Sequence, residues 1–160
     1  MPQSSPIRRP ASVLAGLAMA VVLAQAALAD PLYPSPSKAR ADIDAACAQA
    51  ASSHKRVLVQ FGANWCTDCK VLDQNFHRPE NEALLSSRFV LVHVNVGDDR
   101  VDHNIELAQS YGIPLNKGVP ALAVLDSSGR VIYSQKNGEF ESMRRMDPQS
   151  VNDFLTRWSR

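Results

Sequence analysis

Apolar positions recur along this chain with two different periods, and the order in which those periods alternate predicts its elements. Over 37–53, Ala39, Ile43, Ala46, Cys47 and Ala50 return at helical spacing and form one apolar stripe. Residues 57–61 (Val-Leu-Val-Gln-Phe) are a short apolar run of β-branched and aromatic side chains, the pattern of a buried strand, and Gly62-Ala63-Asn64 closes it as a loop. A helix is predicted over 66–76, with Val71, Leu72 and Phe76 on its core side. Pro79 interrupts it, and 80–87 adds a second helical piece. Residues 89–96 (Phe-Val-Leu-Val-His-Val-Asn-Val) are the clearest strand in the chain. Gly97-Asp98-Asp99 is a turn, 105–111 is a helix ended by Gly112, and 114–118 is a loop. Two strands, 121–125 and 131–135, join across Asp126-Ser127-Ser128-Gly129 as a hairpin. Asp147 caps a last helix that opens at Pro148 and sets Val151, Phe154, Leu155 and Trp158 on one face.

The resulting order is helix, strand, helix, strand, helix, strand, strand, helix. Early alternation favours parallel pairing, and the closing hairpin forces an antiparallel edge. The fold class is therefore α/β, a mixed central sheet flanked by helices on both faces. No internal repeat and no second domain are visible.

Composition narrows the function rather than the fold. The chain has 160 residues, 45% hydrophobic and 21% charged, which is enough apolar material for a single packed core. Its 17 basic and 16 acidic side chains give a formal charge of +1, so no basic excess calls for nucleic acid. Residues 1–29 read as an address. Arg8 and Arg9 precede an apolar stretch, and Ala27-Leu28-Ala29 places small residues where a signal peptidase cuts, making Asp30 the first mature residue. An uncleaved membrane anchor is the less favoured reading: the stretch is near the minimum span, but its Ala-rich content and cleavage-like end favour removal. Residues 30–36, with Pro31, Pro34 and Pro36, read as an extended leader, and 37–160 as the folded domain. Export places the protein in an oxidising compartment, the periplasm if the source is bacterial, where a cysteine pair can cycle or persist as a disulfide.

The chemistry concentrates at Cys66-Thr67-Asp68-Cys69, where a strand and short loop deliver the chain into a helix. Unpaired N–H groups and the positive end of the helix dipole favour a thiolate in that first turn. Cys66 at the helix end is the exposed nucleophile. Cys69, one turn on, lies behind it and can attack a mixed disulfide to release the substrate. A C-x-x-C pair alone also serves metal sites.

Flanking residues make the pair specific. Phe61-Gly62-Ala63-Asn64-Trp65-Cys66-Thr67-Asp68-Cys69-Lys70 resembles the active-site segment of the thioredoxin-like family. Tyr111-Gly112-Ile113 followed by Gly118-Val119-Pro120-Ala121 is similar to that family's segment around its cis-proline, and the order of elements from 37 to 158 agrees. The resemblance implies that Cys66 attacks and Cys69 resolves, with a redox-active disulfide between them. It also implies that Trp65 forms part of a substrate-facing rim, that Pro120 is cis, and that Val119 pairs with an extended substrate segment. The expected fold is thioredoxin-like, and no metal or other cofactor is implied. Expected partners are cysteine-containing proteins and a redox partner protein, with no nucleic acid, no membrane after signal removal, and a monomeric state.

Two departures from the family's pattern matter. Thr67-Asp68 replaces the Gly-Pro of typical thioredoxins. The Asp68 carboxylate disfavours a neighbouring thiolate, and with Lys70 it is a candidate for tuning the pair. A less stable thiolate makes the couple more reducing, which points to an electron donor. Gln60 stands where the family often has a buried acid that helps the resolving cysteine, so water or Asp68 must substitute, or resolution slows. Two other function classes stay open: a thioredoxin-like binding or chaperone module, and a soft-metal (copper) handling protein using the two thiolates. Cys47 is expected to be a buried, inert thiol. His93 is expected at a polar strand position, with a site-facing role the second reading, and His54, His77 and His103 are expected to be solvated. The stretch from Asp98 to His103 is expected to be a turn with a helix cap.

Overall fold

The computed structural model describes residues 30–98 and 102–160. The expected signal segment 1–29 lies outside the described residues, as do 99–101.

Four strands form one mixed sheet in the order β2-β1-β3-β4. They are β1 (Arg56–Gly62), β2 (Phe89–Asn95), β3 (Ala121–Leu125) and β4 (Val131–Ser134). β1 runs parallel to β2, pairing Leu58 with Leu91 and Gln60 with His93, and antiparallel to β3. β3 and β4 make the expected antiparallel hairpin, with a register irregularity at Val124/Leu125. Chain order explains the geometry. A helical crossover separates β1 from β2, which permits parallel pairing, whereas a tight turn can join only antiparallel strands.

Side-chain alternation sorts the sheet into two cores. Val57, Val59 and Phe61 of β1, Val92 and Val94 of β2, and Ala121, Ala123 and Leu125 of β3 face α1 (Ala39–Ser53) and α4 (Ile105–Ser110). Leu58, Leu122 and Val124 face the other way, onto α2 (Thr67–Phe76), α3 (Pro79–Arg88) and α5 (Gln149–Trp158). β1 is therefore covered on both sides, and its last six residues are all buried.

The starts of α3 and α5 each move by one residue for local reasons. α3 begins at Pro79, because proline is well suited to a first helical position. α5 begins at Gln149, but Asp147 still caps it, its carboxylate accepting the Gln149 N–H at 3.0 Å. No side chain caps α4: Asn104 at its start has a left-handed backbone (φ 57°), and its amide N–H groups donate to the carbonyls of Asn95 and Pro36. Within the loop 114–118, Leu115–Lys117 closes into a single 3-10 turn.

The N-terminal segment is more than a leader. Tyr33 is 1% exposed. Asn64 brackets its backbone, accepting the Tyr33 N–H at 3.0 Å and donating to the Tyr33 carbonyl at 2.8 Å. Asn95 donates to the Pro34 carbonyl and Asn104 to that of Pro36. Prolines lack N–H donors, so their carbonyls are the natural anchor points, and three asparagines hold this strap to the domain.

Candidate active site

Cys66 is the N-cap of α2, with φ −76° and ψ 108°, and is joined to Cys69 by a disulfide. β1 ends at Gly62, and the Ala63 carbonyl accepts the Cys66 N–H at 3.1 Å, turning the chain sharply into the helix. The Cys69 N–H points at the Cys66 sulfur at 3.1 Å. A free amide at a helix amino end is the donor that a negative sulfur needs, so the same contact stabilises a Cys66 thiolate when the bond opens. Expected exposure is corrected in degree. Cys66 is the more accessible of the two, but only 5% exposed against 0% for Cys69. Tyr33 forms one buried cluster with the two cysteines, and Leu32 and Val119 pack against it.

The residues flagged by sequence occupy three situations. Val119 and Pro120 meet in a cis peptide bond, and the Val119 carbonyl oxygen lies 3.7 Å from the Cys66 sulfur. Trp65 is 54% exposed, and its indole N–H donates to the Gly97 carbonyl at 3.1 Å. It borders a groove of about 930 Å³ that Ile105, Ile113, Pro114, Leu115 and Val119 also line. Lys70 is exposed on α2.

Asp68 does not stand free beside the sulfurs. Its carboxylate accepts the Arg144 backbone N–H at 2.8 Å and the Arg144 guanidinium at 3.1 Å through Nε, with Nη2 at 3.0 Å. Partial burial works to raise the carboxyl's pKa. The hydrogen bonds from Arg144, with the charges of Arg144 and Arg145, outweigh it and hold the group below its ordinary value. The stability this contributes is in place above the usual carboxylate range and is lost as pH falls through the lowered value. So engaged, Asp68 is half of an ion pair rather than a bare charge.

Gln60 is fully buried beneath the disulfide. Its amide N–H donates to the Tyr33 hydroxyl at 2.7 Å and to the Cys69 carbonyl at 3.2 Å. Its own carbonyl oxygen is buried with no hydrogen-bond partner among the described residues. On the same face of the sheet, His93 pairs with Asp73 at 3.0 Å and meets the Tyr33 ring edge-on at 5.2 Å. His93 is thus drawn inward rather than left as a plain polar strand position.

Four contributors escaped the sequence reading: Tyr33, Arg144, Asp73 and Gln135. Gln135 is buried just past β4 and bridges the Pro120 carbonyl and the Leu122 N–H, holding the cis segment in place. One signal for Tyr33 was available. Gly62, a side-chain-free position at a strand end, marks a close approach by something else. A Cβ there would lie 2.6 Å from Tyr33 Cζ and 2.8 Å from the Cys69 sulfur. Cys47 is free and half-buried, and burial, followed by the charge of Asp44, pushes its thiol up. Among the described residues, no group of three or more His, Cys, Asp or Glu is placed to hold a metal ion, and no helix is long and apolar enough to cross a membrane.

Comparison with known proteins identifies the class. A thioredoxin-like family model matches residues 38–127, and the chain belongs to that family. It carries the equipment of a thiol–disulfide oxidoreductase, a dithiol/disulfide pair at a helix amino end in a thioredoxin-like fold. A solved disulphide isomerase from Xylella fastidiosa Temecula1 is 38% identical, with 82% of this chain and 99% of that one aligned at a TM-score of 0.74. A protein disulfide-isomerase of Ricinus communis is 36% identical over 53% of this chain. The thiol:disulfide interchange protein DsbD of Photorhabdus laumondii is 28% identical over 65% of it. This chain spans only 16% of the length of each of those last two proteins.

Proposed function

We propose that this protein is an exported thiol–disulfide oxidoreductase that exchanges disulfides with cysteine-containing proteins, working as an electron donor. The observation that carries the reading is the Cys66–Cys69 disulfide at the start of α2, with the Cys69 N–H aimed at the Cys66 sulfur. In the reduced protein, the Cys66 thiolate attacks one sulfur of a client disulfide. The client's other sulfur leaves, and a mixed disulfide remains. Cys69 then bonds to Cys66 and releases the client as a thiol. The Val119 carbonyl beside Cys66 and the groove under Trp65 give an extended client segment a backbone partner and an apolar bed. The names of the similar proteins, disulfide isomerases and a thiol:disulfide interchange protein, agree with exchange chemistry. The leader-like sequence of residues 1–29 supports export.

Trapping tests the exchange. Cys69→Ser removes the resolving sulfur, so covalent client adducts are expected to accumulate on Cys66, to be released by dithiothreitol and seen on non-reducing gels. Absence of adducts in a variant whose Cys66 is reduced and reactive would sink the reading.

The donor direction follows from electrostatics at Asp68, whose charge disfavours the neighbouring thiolate and hence the reduced form. Arg144 takes away part of that effect. A potential more negative than about −200 mV is expected in glutathione equilibration, whereas one near −120 mV would mark a strong oxidant and overturn the direction. Arg144→Gln leaves the Asp68 carboxylate unopposed and is expected to move the potential a further 10–20 mV or so negative, the scale of an exposed ion pair. The shift should disappear when Asp68→Asn is combined with it.

A further inference from the structure

The segment that completes this site lies outside the family match, which begins at residue 38. Residues 32–36 run as a strap across the end of the sheet, bound at three carbonyls by Asn64, Asn95 and Asn104. The strap delivers Tyr33 into a cluster with Cys66 and Cys69, and Gly62 gives up its side chain so that the tyrosine tip and the Cys69 sulfur can share one space.

Chemistry decides what a tyrosine does there. When Cys69 resolves a mixed disulfide, its S–H gives up a proton, matched by the one the departing client sulfur takes up, and its sulfur bonds to Cys66. The Cys66–client bond breaks, and the client sulfur leaves with the electron pair and takes up a proton. Between those events Cys69 carries negative charge at a position with no exposure to water. A buried anion needs a donor. Gln60 cannot act as a base at neutral pH, and its N–H groups already serve the Cys69 carbonyl and the Tyr33 oxygen. That leaves the phenolic proton of Tyr33, which its bond to Gln60 does not use. Burial, then the charge of Asp73, keeps that proton on the oxygen far above its ordinary range. Beside the tyrosine ring, His93 of β2 and Asp73 of α2 hold each other.

We propose that Tyr33 is a positioning residue for the resolving step, its hydroxyl donating to the Cys69 sulfur as that sulfur becomes a thiolate, with Gln60 holding the hydroxyl in place. The strap of residues 32–36 is thereby part of the active site. This rests on the exchange reading above and adds to it the group that replaces a buried acid.

Tyr33→Phe keeps the ring and its packing and removes only the hydroxyl. With a peptide disulfide as client, rapid-mixing kinetics separate attack by Cys66 from decay of the mixed disulfide. Decay is expected to slow about tenfold to a hundredfold, the weight of a hydrogen bond to a charged group, with attack changed less than twofold. In a Cys66→Ser background, the Cys69 thiol pKa, read by thiolate absorbance, is expected to rise by about one to two with Tyr33→Phe. Gln60→Met should give a smaller slowing of the same step and add little on top of Tyr33→Phe. Should Tyr33→Phe fail to fold, Gln60→Met carries the test by the same split. Equal slowing of both steps, or no change in decay or in the Cys69 pKa, overturns the proposal. If instead the wild-type protein performs no exchange, it is the functional reading that falls.

Discussion

Cys66→Ser is expected to reduce disulfide exchange by roughly 10³-fold or more, to the level of the uncatalysed control, while leaving the protein folded. A serine hydroxyl is not ionised at neutral pH and cannot form the mixed disulfide at all. Cys69 cannot stand in, because it has no exposure. The fold does not depend on the lost bond for its core, since the two apolar clusters on the sheet's faces are built from other residues. Insulin reduction followed by turbidity, alongside circular dichroism, reads both halves of the expectation. A Cys66→Ser protein that retained even a tenth of wild-type exchange would show that another residue does the chemistry.

Gly62→Ala should be strongly destabilising for a change of a single methyl group. Its Cβ would meet Tyr33 Cζ at 2.6 Å and the Cys69 sulfur at 2.8 Å, and neither can withdraw easily. The tyrosine is pinned at its backbone by Asn64 and at its hydroxyl by Gln60, and the sulfur is fixed by α2 and the disulfide. Overpacking of this kind costs about 1–3 kcal/mol. A fall in Tm of about 3–10 °C is therefore expected in a thermal melt. The damage is local, so it should shrink when Tyr33→Leu makes room, and the double variant should be more stable than the two costs added together. Additive costs would mean that the glycine and the tyrosine do not compete for one space.

Legibility of the site in the sequence followed the range of the interactions. Cys66, Cys69 and the capping geometry between them sit within one helical turn, and a loop-to-helix junction can be read from residue types alone. The position of Val119 and Pro120 beside the sulfurs came only through the family resemblance, because 53 residues separate Val119 from Cys66 and no local rule brings them together. Arg144 lies 76 positions from Asp68, and its pairing changes the meaning of that acid. Read alone, Asp68 is a bare charge next to a thiolate. Folded, it is half of an ion pair. Tyr33 was hidden for a different reason: three prolines around it signal an extended segment, which it is, but extension says nothing about which face of the domain the segment crosses.

The alternation of helical and strand periods was enough, by itself, to determine an α/β sheet with a parallel pair and an antiparallel edge, and to place a reactive sulfur at a helix amino end. Periodicity and capping are properties of neighbouring residues, and they survive in a one-dimensional reading. Only the tertiary structure decided what surrounds that sulfur: a strap from before the first helix, a buried amide in place of an acid, and an arginine from the far end of the chain. Those contacts are set by which surfaces meet once two cores close on the sheet, and no spacing along the chain encodes such a meeting directly.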